Sequence, residues 1–411
     1  IGGKGNDSFF VRSPVTSFVY DNTVEKNYLE KSRRTKRVFE SDASVNEFNI
    51  NGYTYPVKRL PRVFAGINGD DGLLLGTGFN FINYGFRKLP YANSHNMVAL
   101  FALSRKVAYQ LRYNGELIHA LGKTDILING NITNPVLNNF YGFGNSTKVD
   151  ESKGDNFYRV RYSEVGGDLL FRRKPTSIIA VVFGPSFYHY WNKFESNSKY
   201  ILGRPSDIGL DSADVYKTKT YAGVKVALEL DNLNNPLFPT RGIRWTNRLT
   251  FMQPLIENSN ALNKIESDMV VYASLKIPAR IVGVIKFGGG HIFNDNVEYF
   301  QALSLGQNNV LRGFRKNRFS GHSLAYGSLE LRIKLLEGKS YIFPGQVGLI
   351  AFNDIGRVWY RGEQSKLWHY AAGGGLYYNP FNLVIVSATV GVSKEETIFN
   401  FSIGTKFNLT F

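Results

Sequence analysis

The most constraining feature of this chain is an alternation of period two that persists over segments longer than soluble strands use. In the last segment Phe399, Phe401, Ile403, Thr405, Phe407, Leu409 and Phe411 fall on one side of an extended chain, with Asn400, Ser402, Gly404, Lys406, Asn408 and Thr410 on the other. Strands of soluble sheets run about five or six residues, whereas a tilted strand crossing a bilayer needs about nine to eleven. Such a segment is long enough to cross hydrocarbon.

The pattern recurs upstream. Ala325, Gly327, Leu329, Leu331, Ile333 and Leu335 alternate with Tyr326, Ser328, Glu330, Arg332 and Lys334. Val224, Val226, Leu228 and Leu230 alternate with Lys225, Ala227 and Glu229, and Tyr109, Leu111, Tyr113 and Leu117 with Gln110, Arg112, Asn114 and Glu116. One side of each can meet lipid. The charged side cannot, so it must face a wet interior. The expected fold is all-β, a transmembrane antiparallel β-barrel of about sixteen strands beginning near Val63.

Connection lengths also alternate. Residues 174–177, 278–280 and 379–382 make short turns, and 134–156, 194–218, 254–268 and 294–321 make long loops. Outer-membrane barrels place short turns in the periplasm and long loops outside, so an even strand count returns both termini to the periplasm. The expected location is the bacterial outer membrane. Mean hydropathy of -0.20 does not conflict with this, because only alternate residues touch lipid. No stretch approaches the roughly 18 apolar residues of a spanning helix.

Residues 1–60 keep neither period and read as a periplasmic extension or plug, with 61–411 as the barrel. Short strands are expected at 9–12 and 49–57, and the charged stretch 25–37 reads as a helix or a loop. No leader precedes Ile1, so the chain reads as a mature or shortened form.

Two patches exceed generic barrel features. One is Val310-Leu311-Arg312-Gly313-Phe314, in the long connection before the Ala325 strand. The other is the turn Asn235-Pro236-Leu237-Phe238-Pro239-Thr240-Arg241-Gly242, and further on comes Ala351-Phe352-Asn353-Asp354-Ile355-Gly356. The first resembles the arginine-glycine-aromatic motif of the sixth extracellular loop in the BamA/TamA superfamily, which includes two-partner secretion transporters and bacterial surface antigens. The second is similar to that family's Pro-x-Phe-Pro-Thr-x-Gly turn and the third to its Phe-x-Asp-x-Gly strand motif. The closing strand, with Phe407, Leu409 and Phe411, resembles an outer-membrane assembly signal.

The resemblance implies that the long loop lies inside the barrel, with Arg312 pairing with Asp354. Glu330 is a second acceptor on an inward position, and Phe352 and Gly356 flank the aspartate. A guanidinium can hold a carboxylate through two parallel hydrogen bonds, which fixes orientation as Lys cannot. Gly313 would permit a tight reversal and Phe314 supply an apolar anchor. Stiffening of a periplasmic turn by prolines and glycine accounts for Pro236, Phe238, Pro239, Thr240 and Gly242.

The implied function is an outer-membrane barrel that inserts, assembles or translocates proteins. Its partners would be unfolded outer-membrane or secreted proteins and periplasmic or lipoprotein accessory subunits. A formal net charge of +16 suggests an anionic partner such as outer-membrane lipid or lipopolysaccharide. The basic residues are dispersed apart from Lys31, Arg33, Arg34, Lys36 and Arg37, which argues against a nucleic-acid face. The segment before Leu60 is short for a POTRA module, the substrate-receiving domain usual in the family. Two other readings are a passive anion-selective pore and a membrane anchor for a periplasmic enzyme domain. Within the chain no enzyme, metal or cofactor is expected. The histidines (His95, His119, His189, His291, His322, His369) lack paired ligand spacing, Cys is absent, and no Gly-x-Ser-x-Gly or phosphate loop occurs.

Overall fold

The computed structural model describes the chain apart from residues 1, 3–4, 13, 31, 41–56, 69–71, 85–89, 104–107, 236, 257–258, 308–309, 339–343, 381–384 and 405–411. The assembly-signal residues Phe407, Leu409 and Phe411, and Pro236 of the turn, lie outside the described residues. The chain divides into two units, Ile1–Pro56 and Val57–Phe411.

In the first unit β1 (Ser8–Phe9) pairs in parallel with β3 (Tyr28–Leu29), and β2 (Ser17–Asn22) with β4 (Thr35–Glu40). The chain therefore winds back over itself in layers. Asparagine side chains bridge the layers: Lys26 N donates to Asn6 Oδ1 and Asp7 N to Asn27 Oδ1, each at 2.8 Å. The charged stretch 25–37 is not a helix, since it contains β3 and enters β4. Its cations are accommodated over rings, Lys36 above Phe18 and Arg37 above Phe39, so charge did not prevent strand formation. The strand expected at 9–12 is confined to Ser8–Phe9, and the one at 49–57 falls almost wholly outside the described residues.

The second unit is a sixteen-stranded antiparallel barrel. Its strands are β5 (Val57–Asn68), β6 (Gly72–Asn83), β7 (Asn93–Ala102), β8 (Ala108–Leu121), β9 (Thr124–Asn139), β10 (Arg159–Arg173), β11 (Ile179–Trp191) and β12 (Lys219–Asp231). They continue with β13 (Gly242–Pro254), β14 (Leu262–Ala273), β15 (Ile281–Ile292), β18 (Ser323–Gly338), β19 (Gly345–Trp359), β20 (His369–Pro380), β21 (Ile385–Val392) and β22 (Thr397–Gly404). Two short strands, β16 (Leu303–Leu305) and β17 (Phe319–Gly321), pair only with each other inside the connection from β15 to β18. β15 pairs directly with β18, Ile281 opposite Ile333 through His291 opposite Ser323. Residues 293–322 are thus set apart from the wall.

Alternation sorts the side chains as a bilayer requires. Leu329, Leu331, Phe399 and Phe401 are 58%, 41%, 65% and 48% exposed on the outside. Glu330, between Leu329 and Leu331, turns inward, as do Asp168, which receives Lys225 Nζ at 2.7 Å, and Asp125, which receives Arg172 Nη2 at 2.7 Å. An apolar exterior with charges inside inverts a soluble protein and matches a lipid solvent.

Three boundaries differ from expectation. β5 begins at Val57 and runs through Pro61, which a strand at the end of the sheet order tolerates better than a central one. β9 continues to Asn139, because its polar tail still pairs with β10. β14 starts at Leu262, which shrinks the expected loop 254–268: Glu266 and Asp268 are inward strand residues, paired with Arg248 and Thr246. Charge read as loop was charge facing the lumen.

Candidate functional site: the inner loop and its anchors

The loop 293–322 contributes a compact core to the interior. Leu305, Leu311, Phe314 and Phe319 pack with Val358 of β19 and Ala371 of β20. Phe314 meets Phe319 and His369 edge-on, and Phe319 stacks on His369 at 3.6 Å. Val310 is buried as well. The loop is therefore fastened by apolar burial before any charge is considered.

Arg312 stands at its tip. Nε donates to Asp354 Oδ2 at 2.9 Å and Nη2 to Asp354 Oδ1 at 2.8 Å, the bidentate arrangement. Nη1 donates to Glu330 Oε2 at 2.5 Å and Nη2 to Ser328 Oγ at 3.0 Å. The Ser328 hydroxyl in turn donates to Asp354 at 2.7 Å. The guanidinium lies over the Phe352 ring, 3.6 Å from its centroid. Asp354 is fully buried, a position a carboxylate holds only when paired and hydrogen-bonded.

The glycines serve close approach. Gly313 lies in the expected tight reversal, with the Phe314 amide donating to the Leu311 carbonyl at 3.0 Å, and it does so without a left-handed conformation. A Cβ there would lie 2.9 Å from the carbonyl carbon of Val392 and 3.0 Å from Ala371 Cβ, so glycine lets the loop lie against β20 and β21. A Cβ at Gly356 would reach within 2.9 Å of Leu305, so that glycine makes room for β16 on the barrel wall.

A second set of contacts was not foreseen. Arg318, only 2% exposed, donates from Nε and Nη2 to the two carboxylate oxygens of Glu395 at 2.7 and 2.8 Å. Arg315 donates through Nε to Glu396 at 2.9 Å and through Nη2 to Asp155 at 2.8 Å. Glu395 and Glu396 form the turn between the last two strands. Burial pushes the Glu396 carboxyl above the usual carboxylate range, with Arg315 pulling the other way. Asn400 of β22 donates to the Arg312 carbonyl at 3.0 Å and accepts from Gln307. The inner loop is thus seated on the last hairpin as well as on β18 and β19. The available signal was the spacing Arg312, Arg315, Arg318 opposite the Glu395-Glu396 pair.

The turn residues lie away from Arg312, at the short-turn end. Asn235 Oδ1 accepts from the Leu237 and Phe238 amides, and Asn234 Oδ1 from those of Thr240 and Arg241. Gly242 has φ of +113° and its Cβ position lies 2.1 Å from the Asn232 carbonyl oxygen, so only glycine fits. Pro239 is buried, and Phe238 packs on Tyr377 of β20 with ring centroids 5.2 Å apart.

The profile of the Omp85 superfamily domain matches residues 101–407. No curated protein matches the sequence. Among solved structures, BamA from Haemophilus ducreyi lacking POTRA domains 1–3 aligns with a TM-score of 0.58 at 14% identity, over 90% of this chain and 73% of that one. CdiB from Escherichia coli aligns at 0.54 and 14% identity, over 92% and 66%. CdiB from Acinetobacter baumannii aligns at 0.53 and 10% identity, over 94% and 64%, so the chain spans about two thirds of either CdiB. With the barrel fold and three quarters of the sequence in accord, the chain belongs to the Omp85 superfamily, the outer-membrane barrels that insert or translocate proteins.

Proposed function

We propose that this barrel passes protein segments into or across the outer membrane through the seam between β5 and β22, and that the inner loop sets the state of that seam. One observation carries the reading: the loop tip that binds Asp354 and Glu330 also binds Asn400 on β22, the terminal strand. Among the described residues the ladder order runs from β22 to β5 without a ladder between these two, although their Cα atoms approach within 8 Å. An unpaired strand edge is a ready hydrogen-bonding template, on which an unfolded outer-membrane or secreted protein can add a strand. Arg312, Asp354, Glu330, Phe352 and Gly356 are the anchoring set, with Val310, Leu311, Gly313 and Phe314 as the part of the loop they hold.

In this reading the short turns and both termini are periplasmic, and the amino-terminal unit is a periplasmic extension or plug. Accessory periplasmic or lipoprotein subunits would meet the barrel there. Lipid and lipopolysaccharide phosphates would engage the basic excess of +16. Because Cys is absent, a disulfide engineered across β5 and β22 is the only one the chain can form. Vesicles carrying the reduced form should accelerate insertion of an unfolded outer-membrane protein, and oxidation should abolish the acceleration. Equal rates in both forms, or a steady anion-selective current across a planar bilayer, would reject this function.

A further inference from the structure

Glu330 takes a second guanidinium besides that of Arg312, and the structure supplies it from below. Arg332, two residues along β18 toward the short turns, donates through Nε to Glu330 Oε1 at 2.7 Å. Both carboxylates of the site are thus paired with guanidinium groups, which a poorly hydrated site strongly favours, and Lys286 of β15 also acts electrostatically on Asp354. Arg332 is itself held by aromatic faces, its guanidinium 5.4 Å from the Phe238 ring and 5.6 Å from that of Tyr272. Phe238 belongs to the periplasmic turn, and Tyr377 on β20 backs it.

We propose that Phe238 and Arg332 are positioning residues for the inner loop. Arg332 orients Glu330, Glu330 orients Arg312, and Arg312 seats the loop on Asn400 of the last strand. The turn's asparagine hydrogen bonds and Gly242 dictate where Phe238 projects, which is more than a connector needs. A stiff turn alone would leave the identity of residue 238 open. The contacts make it specific, because a flat ring face is what a guanidinium stacks on. Contacts thus run unbroken from the periplasmic mouth to the seam strand, and a segment entering from the periplasm that displaces Phe238 would loosen the loop's hold. That consequence rests on the seam reading; the positioning itself does not.

The test uses the whole chain in vesicles. A Gln307→Cys, Asn400→Cys pair bridged by a short bis-maleimide reports loop seating as cross-link yield per folded molecule, with folded protein scored by its resistance to detergent at room temperature on gels. Phe238→Ala and Arg332→Met should each lower the yield about three- to tenfold. Phe238→Tyr, which keeps the ring face, should restore it. Combining Phe238→Ala with Arg312→Ala should cost little beyond Arg312→Ala alone. Unchanged yield in both Phe238→Ala and Arg332→Met, with Arg312→Ala lowering it, would overturn the proposal. So would a loss of folded protein at constant yield per folded molecule. A wild-type barrel that shows this coupling yet inserts no substrate would remove the seam reading and leave the positioning role standing.

Discussion

The barrel wall and the inner loop meet along β18 and β19, yet different physics holds them. On the wall, apolar side chains such as Leu331 and Phe401 face outward and need only be apolar, since lipid conforms to their shape. In the loop, Arg312 finds Asp354, Glu330 and Ser328 within hydrogen-bond reach and Phe352 beneath it, and each partner is buried or nearly so. The wall spreads its stability over many interchangeable contacts. The loop concentrates its own on a few that cannot be exchanged.

Substitutions can break that contrast, beginning with the loop. Arg312→Ala strands the Asp354 carboxylate in a buried site and should cost about 3–5 kcal/mol. It should appear as a lower urea midpoint for the folded barrel in vesicles, with Arg312→Lys recovering only part. An unchanged midpoint would mean that the loop is not anchored by charge. Next comes a charge on the lipid face: Leu331→Arg should cost about 2–4 kcal/mol near the bilayer midplane. If the same substitution proved harmless in vesicles, the outside of β18 would not be facing lipid.

Gly313→Ala should cost about 1–3 kcal/mol, because the added methyl presses on Val392 and Ala371 and the loop must lift. Cross-linking between positions 307 and 400 should fall with it, whereas preserved cross-linking would show that β21 gives way instead. The smallest effect sharpens the contrast from the other side. Leu331→Ile should stay within about 0.5 kcal/mol, as a surface position indifferent to shape should. A larger loss would show that packing specificity extends to the outer face.

The same contrast explains what could be read from residues alone. Period two is a local property, so the β18 segment and the closing strand announced themselves without knowledge of their neighbours. It failed where composition competed with period. Glu266 and Asp268 looked like loop residues because their charge was visible and their inward direction was not, and the basic run 25–37 concealed parallel strands for the same reason. Family resemblance pairs Arg312 with Asp354, and strand alternation turns Glu330 inward as a second acceptor; spacing alone gives neither. The clamp of Arg315 and Arg318 on Glu396 and Glu395 escaped, since about eighty residues separate the partners. Turn chemistry accounts for Phe238 only as part of a stiff turn, whereas its ring lies against Arg332.

By itself the sequence determined which side of each strand seeks hydrocarbon, because alternation along an extended chain is set by backbone geometry within a few residues. Only the tertiary structure decided which carboxylate each arginine of the loop would take, and that Gly313 serves close approach to β20 and β21 as well as a turn. Those choices depend on distances between segments far apart in the chain, and no local pattern encodes a distance that the folded sheet alone creates.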